Sequence, residues 1–363
     1  MLFSLGSRSG KHSAAPHLTT ISQAYVQGVR GAWLLAVICG TAERLRPVQL
    51  ELIGSGEHLQ DQVQSAQYNG FTPTDKDDLV MFKNNGERQL IRRAIAAFLD
   101  EDLGRGDITG AAIFTPHETG RATLVAKEEL LLAGCEQLVP MVFTTLNPQI
   151  RAQPLVADGR WVQAGEELMH LQGPLRDLLA AERVALNLCQ RLSGIATLTA
   201  AFVAAVAGLP VEILDTRKTT PGLRLLERYA VRMGGGVNHR FNLHDGILIK
   251  DNHIAAAGSL GEAVDKVRSY NENRLPVEVE CENLEQVEQA LAAKVEIIML
   301  DNMTPAAMEQ AVQRVAGRAR LEASGGVKLA NVREIAATGV DRISVGALTH
   351  SAVAKDISMD LIS

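Results

Sequence analysis

Residues 277–326 read VEVECENLEQVEQALAAKVEIIMLDNMTPAAMEQAVQRVAGRARLEASGG. Three short apolar runs, VEVE (277–280), IIML (297–300) and LEA (321–323), alternate with stretches of helical character. Each step from run to run takes at least about 20 residues, enough for a strand, a crossover helix and a return, so the strands should be parallel. The alternation extends outward to VEIL (211–214), GILI (246–249) and RISV (342–345). Six regularly spaced units predict an α/β fold whose C-terminal part is a (β/α) barrel, incomplete or open, rather than a flat sheet.

Upstream the pattern changes. Arg88 to Leu103 has helical periodicity and ends at Gly104. GRGDITG (104–110) reads as a turn with Asp107 and Thr109 as cap residues. Strand-like runs follow at 122–126, 130–133, 150–152, 161–162 and 167–171, and DGRWVQAGEELMHL (158–171) resembles the hairpin of a lipoyl-type domain but lacks its exposed Lys, and so reads as plain β structure. An Ala- and Leu-rich helical stretch, 175–207, connects the halves. The expected organisation is an N-terminal α+β sandwich domain with its connecting helix over 86–207, the barrel over 208–350, and a segment 351–363 returning to the first domain. Residues 1–80 stand apart: no Asp or Glu precedes Glu43. They read as a disordered extension or as lying outside the natural enzyme, with translation starting at Met81; an organelle transit segment is the other reading.

The chain has 363 residues, a formal net charge of −6 and 4% aromatic residues. Acidity and few rings argue against a nucleic-acid surface. No uninterrupted apolar run approaches the roughly 18–20 residues that span a bilayer. Four scattered cysteines, 39, 135, 189 and 281, have no metal-ligand spacing and suit a reducing, cytoplasmic compartment.

Against that acidic background, residues 215–253 (DTRKTTPGLRLLERYAVRMGGGVNHRFNLHDGILIKDNH) hold seven Lys or Arg, three His and four carboxylates. Cations beside glycines at strand ends suit a ligand with several negative charges. Every predicted strand ends on polar residues: Asp215, Arg217 and Lys218 after the first, then Lys250, Glu280, Asp301, the Ser324-Gly325-Gly326 triplet and Gly346. Barrel active sites sit at the C-terminal ends of the strands, and the loops after the last two commonly bind phosphate through backbone N–H groups. Arg217, Lys218, His239, Arg240 and Lys250 are the candidate anion binders. Glu280 and Asp301 suit Mg²⁺ or ribose hydroxyls, or salt bridges to those cations. Arg224, Arg228 and Arg232 recur every four residues on a helix entered at Thr220-Pro221, and read as a solvated or partner-facing column opposite the apolar stripe of Leu223, Leu226, Ala230 and Met233. That helix stops at Gly234-Gly235-Gly236.

DTRKT-PGLR, YAVRMGGGVNHR, LIKDNH, the E-V-E strand, LDN, SGG and SVGALTHS together resemble the quinolinate phosphoribosyltransferase family, also called nicotinate-nucleotide pyrophosphorylase (carboxylating), from about residue 86 onward. The resemblance implies transfer of phosphoribosyl from its pyrophosphate donor to quinolinate with Mg²⁺ and loss of CO₂. It implies that Arg217, His239 and Arg240 hold the quinolinate carboxylates with Lys218 and Lys250 nearby, either lysine assisting decarboxylation. It further implies that Arg183 reaches a partner subunit's site in a homodimer or higher oligomer. Glu280 and Asp301 would serve the ribose hydroxyls and Mg²⁺, directly or indirectly. Ser324, Gly325, Gly326, Gly346 and His350 would take the 5′-phosphate. Two other readings stay open: a Schiff-base aldolase using Lys250, and a catalytically silent protein that binds a phosphometabolite.

Overall fold

The computed structural model describes residues 22–27, 33–38, 80–272 and 274–362. Strands β1 (Ser22–Gln27) and β2 (Trp33–Ile38) pair antiparallel as a hairpin. Apart from that hairpin, the expectation for residues 1–80 lies almost wholly outside the described residues.

The body from residue 80 begins with helix α1 (Asn85–Leu103), where the Asn84 side chain caps Glu87 N at 2.9 Å. Gly104 and Arg105 make the expected turn and Asp107 takes the N-cap position of a short helix, α2 (Ile108–Ile113), but its side chain makes no cap bond and Thr109 lies inside the helix. Then come β3 (Thr119–Ala126), β4 (Leu130–Leu131), α3 (Leu138–Leu146), β5 (Arg151–Pro154), β6 (Trp161–Val162) and β7 (Glu167–Pro174). The stretch 158–171 is plain β structure as expected, though its two strands do not pair with each other: β6 pairs with β4, whereas β7 lies between β3 and β5. The final strand, β14 (Ile357–Ile362), returns to pair with β3, so the antiparallel sheet runs β14-β3-β7-β5.

Helix α4 (Leu175–Ala205) joins the halves. Its 31 residues and an 18-residue window of mean hydropathy 1.3 are, by length and composition, enough to cross a membrane. Leu178, Ala181, Leu192, Ile195 and Phe202 are nonetheless buried in the protein core, and a core helix of a soluble fold has the same composition.

The remaining strands are β8 (Glu212–Leu214), β9 (Ile247–Ile249), β10 (Val277–Cys281), β11 (Ile297–Asp301), β12 (Arg320–Ser324) and β13 (Arg342–Ser344). Between them lie α5 (Arg224–Met233), α6 (Asp251–Ala257), α7 (Leu260–Tyr270), α8 (Leu284–Ala292), α9 (Pro305–Val315) and α10 (Val332–Ala337), with α11 (Ala347–His350) after β13. All six strands are parallel in the order β8-β13-β12-β11-β10-β9. That is barrel order opened between β8 and β9, and a single bridge from Leu214 to Val237 lies on β8's free edge. The glycine triplet makes that bridge possible. A Cβ on Gly234 would strike Ala196 O and Thr199 of α4, so only glycine lets the chain turn this close to the helix.

Candidate active site

At the top of β8, Asp215 is fully buried. It accepts His239 N–H at 2.8 Å and Asn238 Nδ2 at 2.6 Å, docking the segment after the glycines onto the strand end. Burial pushes the Asp215 carboxyl up, against the pull of Arg228, whose Nη1 is 3.7 Å away.

The docked segment aims the His239 ring into the barrel. Its Nε2 lies 3.3 Å from Glu278 of β10 and 3.4 Å from Glu322 of β12. Two effects oppose charge on this ring: burial, and the Arg240 backbone N–H that meets Nδ1 at 2.9 Å. One backbone hydrogen bond is worth about 1 kcal/mol. Two carboxylates left buried beside a neutral ring cost several. The carboxylates therefore win and hold His239 up to about 10. In turn, burial pushes Glu278 up, partly offset by its bond to His239. These three groups approach one another within 4.8 Å, a spacing metal ligands also show. Arranged so, they share the His239 proton.

Arg217 and Arg240 are near this cluster. Arg240 donates to Gly246 O at 2.9 Å, and its guanidinium loses basicity through burial and through repulsion from Arg217. Among the described residues, the buried Arg217 Nε has no hydrogen-bond partner. Two guanidinium groups that repel each other, one with an unused buried N–H, offer charge and donors suited to an anion.

The other expected residues fall into three sets. Lys250 Nζ pairs with Glu280. Asp301 and Ser324 are register partners on β11 and β12, and Asn302 donates its side-chain amide to Asp301 at 2.7 Å. Gly325, at φ +89°, lies flat against Asn302, where a Cβ would overlap the amide. Gly326 is open, its carbonyl held by Asn331 at 3.2 Å. At the end of β13, Gly346 packs beside both the Lys218 stem and His350 Nε2, and Thr349 Oγ1 donates to Lys218 O at 2.8 Å. Arg183 joins none of these sets. Its side chain is 57% exposed on α4, and it lines a hollow with Asn187, Pro221 and Leu223.

The arginine column does not face solvent. Arg224 donates to Thr219 Oγ1, Phe241 O and Arg217 O; Arg228 donates to His239 O at 2.5 Å and lies over the Phe241 ring; Arg232 donates to Asn238 Oδ1 and Val80 O. Helix α5 begins only at Arg224, so Thr220 is free to bond elsewhere. The loops carry carbonyls that no strand satisfies, and the arginines satisfy them. Sequence reading also passed over Glu278 and Glu322. A visible signal was present, a charge in the middle of each of two strands that parallel-sheet burial should make apolar.

The sequence matches the family model described as quinolinate phosphoribosyl transferase, N-terminal domain, over residues 107–193 and the corresponding C-terminal domain over 195–360. A probable nicotinate-nucleotide pyrophosphorylase [carboxylating] of Bacillus subtilis is 44% identical over 271 residues, 75% of this chain and 93% of its own length. The nicotinate-nucleotide pyrophosphorylase [carboxylating] of Mycobacterium leprae is 46% identical over 279 residues, 76% and 96% of the two chains. The crystal structure of NadC from Streptococcus pyogenes superposes with a TM-score of 0.72 at 45% identity, covering 75% of this chain and 96% of that one.

Proposed function

The chain belongs to the quinolinate phosphoribosyltransferase family, and from that premise we propose that Arg217 and Arg240 form the dicarboxylate end of its active site. The enzyme transfers phosphoribosyl from 5-phosphoribosyl 1-pyrophosphate to quinolinate with decarboxylation, in NAD biosynthesis. The observation that carries the site assignment is the Arg217–Arg240 pair, in mutual repulsion and with the buried Arg217 Nε unpartnered. Two carboxylates on one ring would answer both features. In this reading His239, with Nε2 spent on Glu278 and Glu322, adds fixed positive charge beside the ring.

The pyridine nitrogen attacks C1 of the ribose as the C1–O bond to pyrophosphate breaks, and the electron pair leaves with the pyrophosphate. The carboxyl next to the ring nitrogen then departs as CO₂, and the pair left on carbon takes up a proton, giving nicotinate mononucleotide. Neither step needs a protein nucleophile, so catalysis rests on positioning and charge. Lys218, lying over Gly346 and beside His350, joins the phosphate half with Ser324, Gly325 and Gly326. Lys250 stands beside Glu280 at the ribose.

Glu280 and Asp301 fit Mg²⁺. Each has one oxygen held by a neighbouring nitrogen, leaving the other for a hard cation that takes its remaining ligands from phosphates and water. When bound, Mg²⁺ would neutralise charge growing on the departing pyrophosphate. Exposed Arg183 is assigned to a partner's site in a homodimer or higher oligomer; the acidic, ring-poor composition speaks against a nucleic-acid partner, and the free cysteines 135, 189 and 281 support a reducing, cytoplasmic compartment. The test incubates pure, folded protein with quinolinate, the phosphoribosyl donor and Mg²⁺. Stoichiometric CO₂ and nicotinate mononucleotide are expected, and no product would overturn the reading.

A further inference from the structure

An ion pair between a partly buried arginine and a fully buried glutamate, outside the substrate-facing set, connects its two halves. Arg191 of α4 donates through Nε and Nη2 to Glu227 Oε1 of α5, at 3.2 and 2.9 Å. Its Nη1 donates to Ala352 O at 3.1 Å, and Nη2 also donates to Thr349 O. Glu227 is wholly buried and accepts Thr220 Oγ1 at 2.8 Å and Thr220 N–H at 3.1 Å. Thr349 closes the circuit by donating Oγ1 to Lys218 O.

The guanidinium thus holds the chain around α11, where Gly346 and His350 lie. The carboxylate holds the loop after β8, which carries Arg217 of the dicarboxylate half and also Lys218, whose stem lies against Gly346 in the phosphate half. These loops leave strands at opposite ends of the barrel sequence, and a group transfer between two bound substrates needs their separation fixed. For stability alone an ion pair on a fully buried glutamate is a poor choice, because desolvation offsets most of its attraction and well-packed apolar residues do as well.

We infer that Arg191 and Glu227 are positioning residues that couple the dicarboxylate half of the site to the phosphate half, a reading that rests on the proposed function. Occupation of one half then favours occupation of the other, reciprocally. Calorimetric titration of the full chain with benzene-1,2-dicarboxylate, which lacks the ring nitrogen and cannot react, is run with and without saturating ribose 5-phosphate, and then in the reverse order. Each ligand is expected to tighten the other by about 10-fold, within the usual range of coupling between sites. In Arg191→Lys and Glu227→Gln the coupling should fall to about 2-fold or less while each ligand's lone affinity changes by less than about 3-fold. Thr349→Val, which removes one hydroxyl and keeps the shape, should lower coupling in the same direction and remains informative if the ion-pair variants do not fold. A merely structural role would weaken both lone affinities and leave their ratio alone. Coupling that persists in every folded variant, or independent binding in the unaltered protein, would overturn the inference. Product formation by the unaltered protein is read separately and decides the catalytic assignment.

Discussion

Arg217→Met should make the ligand-free protein more stable and nearly inactive. The buried Arg217 Nε has no partner, and its guanidinium repels Arg240. An unsatisfied buried donor costs about 1–3 kcal/mol. Because the side chain is only half-buried, the lower end applies, and a methionine of similar length removes the donor while keeping the stem packed. A gain of about 1 kcal/mol raises Tm by about 2–4 °C for a chain of this size. The backbone carbonyl of Arg217, which Arg224 holds at 3.3 Å, is untouched by the change. Against this, two charge-assisted bonds to a substrate carboxylate are lost, at about 1.5–3 kcal/mol each. Together they predict a fall of about 10²–10⁴ in kcat/KM for quinolinate. Calorimetry without ligand and initial rates by CO₂ release measure both. A Tm lowered by more than about 4 °C, or a rate loss under about 10-fold, would show that Arg217 is held by a structural partner and not kept waiting for an anion.

Three other perturbations test separate parts of the molecule. His239 is held at about 10, above the ordinary 6.5 of an unfolded chain, so its contribution to stability is complete below about pH 6.5 and disappears as pH rises through 10. Thermal melts should show Tm falling from pH 7 to 10, with a shallower fall in His239→Asn, and equal slopes would refute the cluster's charge state. Tyr229→Phe removes the hydroxyl that donates to buried Asp158 at 2.7 Å, and should cost about 1–2 kcal/mol in urea unfolding with kcat unchanged. Chelating divalent ions should abolish product formation, and Glu280→Gln should raise the Mg²⁺ needed for half-maximal rate by about 10-fold or more; a rate indifferent to chelator would remove Glu280 and Asp301 from metal binding.

The six strands and their order were legible because a buried parallel strand must be apolar and each crossover must be long enough for a helix. Polar strand ends were legible for a related reason: a hydrophobic run that stops on Asp, Lys or Glu marks where the sheet leaves the core. The turn at 104–110 was legible in its glycines, but Asp107 caps the following helix by position alone, without a side-chain bond. The β character of 158–171 was legible too, whereas its pairing was not, because antiparallel partners are chosen by the whole sheet and not by adjacency, and β7 found its neighbours in β3 and β5.

Glu278, Glu322 and the arginine column were hidden for a different reason, which lies in three-dimensional register. Along the ladder, Glu322 aligns with Met299, and Met299 with Glu280. Yet Glu278, two residues earlier, is the one that shares His239 with Glu322. Barrel strands tilt against the axis, so side chains from alternate strands meet at one height only after the ladder has slipped by about a residue per strand. A sequence gives the charges inside VEVE and RLEAS but not that slip, so it could not distinguish Glu280 at the mouth from Glu278 below it. The arginines of α5 present the same problem on a helix. A charge every fourth residue is the signature of a solvated face, and it becomes an internal clamp only because the glycine triplet turns the chain back over that face, within reach of Arg228 and His239 O. What faces the arginines is thus decided by Gly234 against α4. Moving that one turn outward would expose the column and release His239 from Asp215 together.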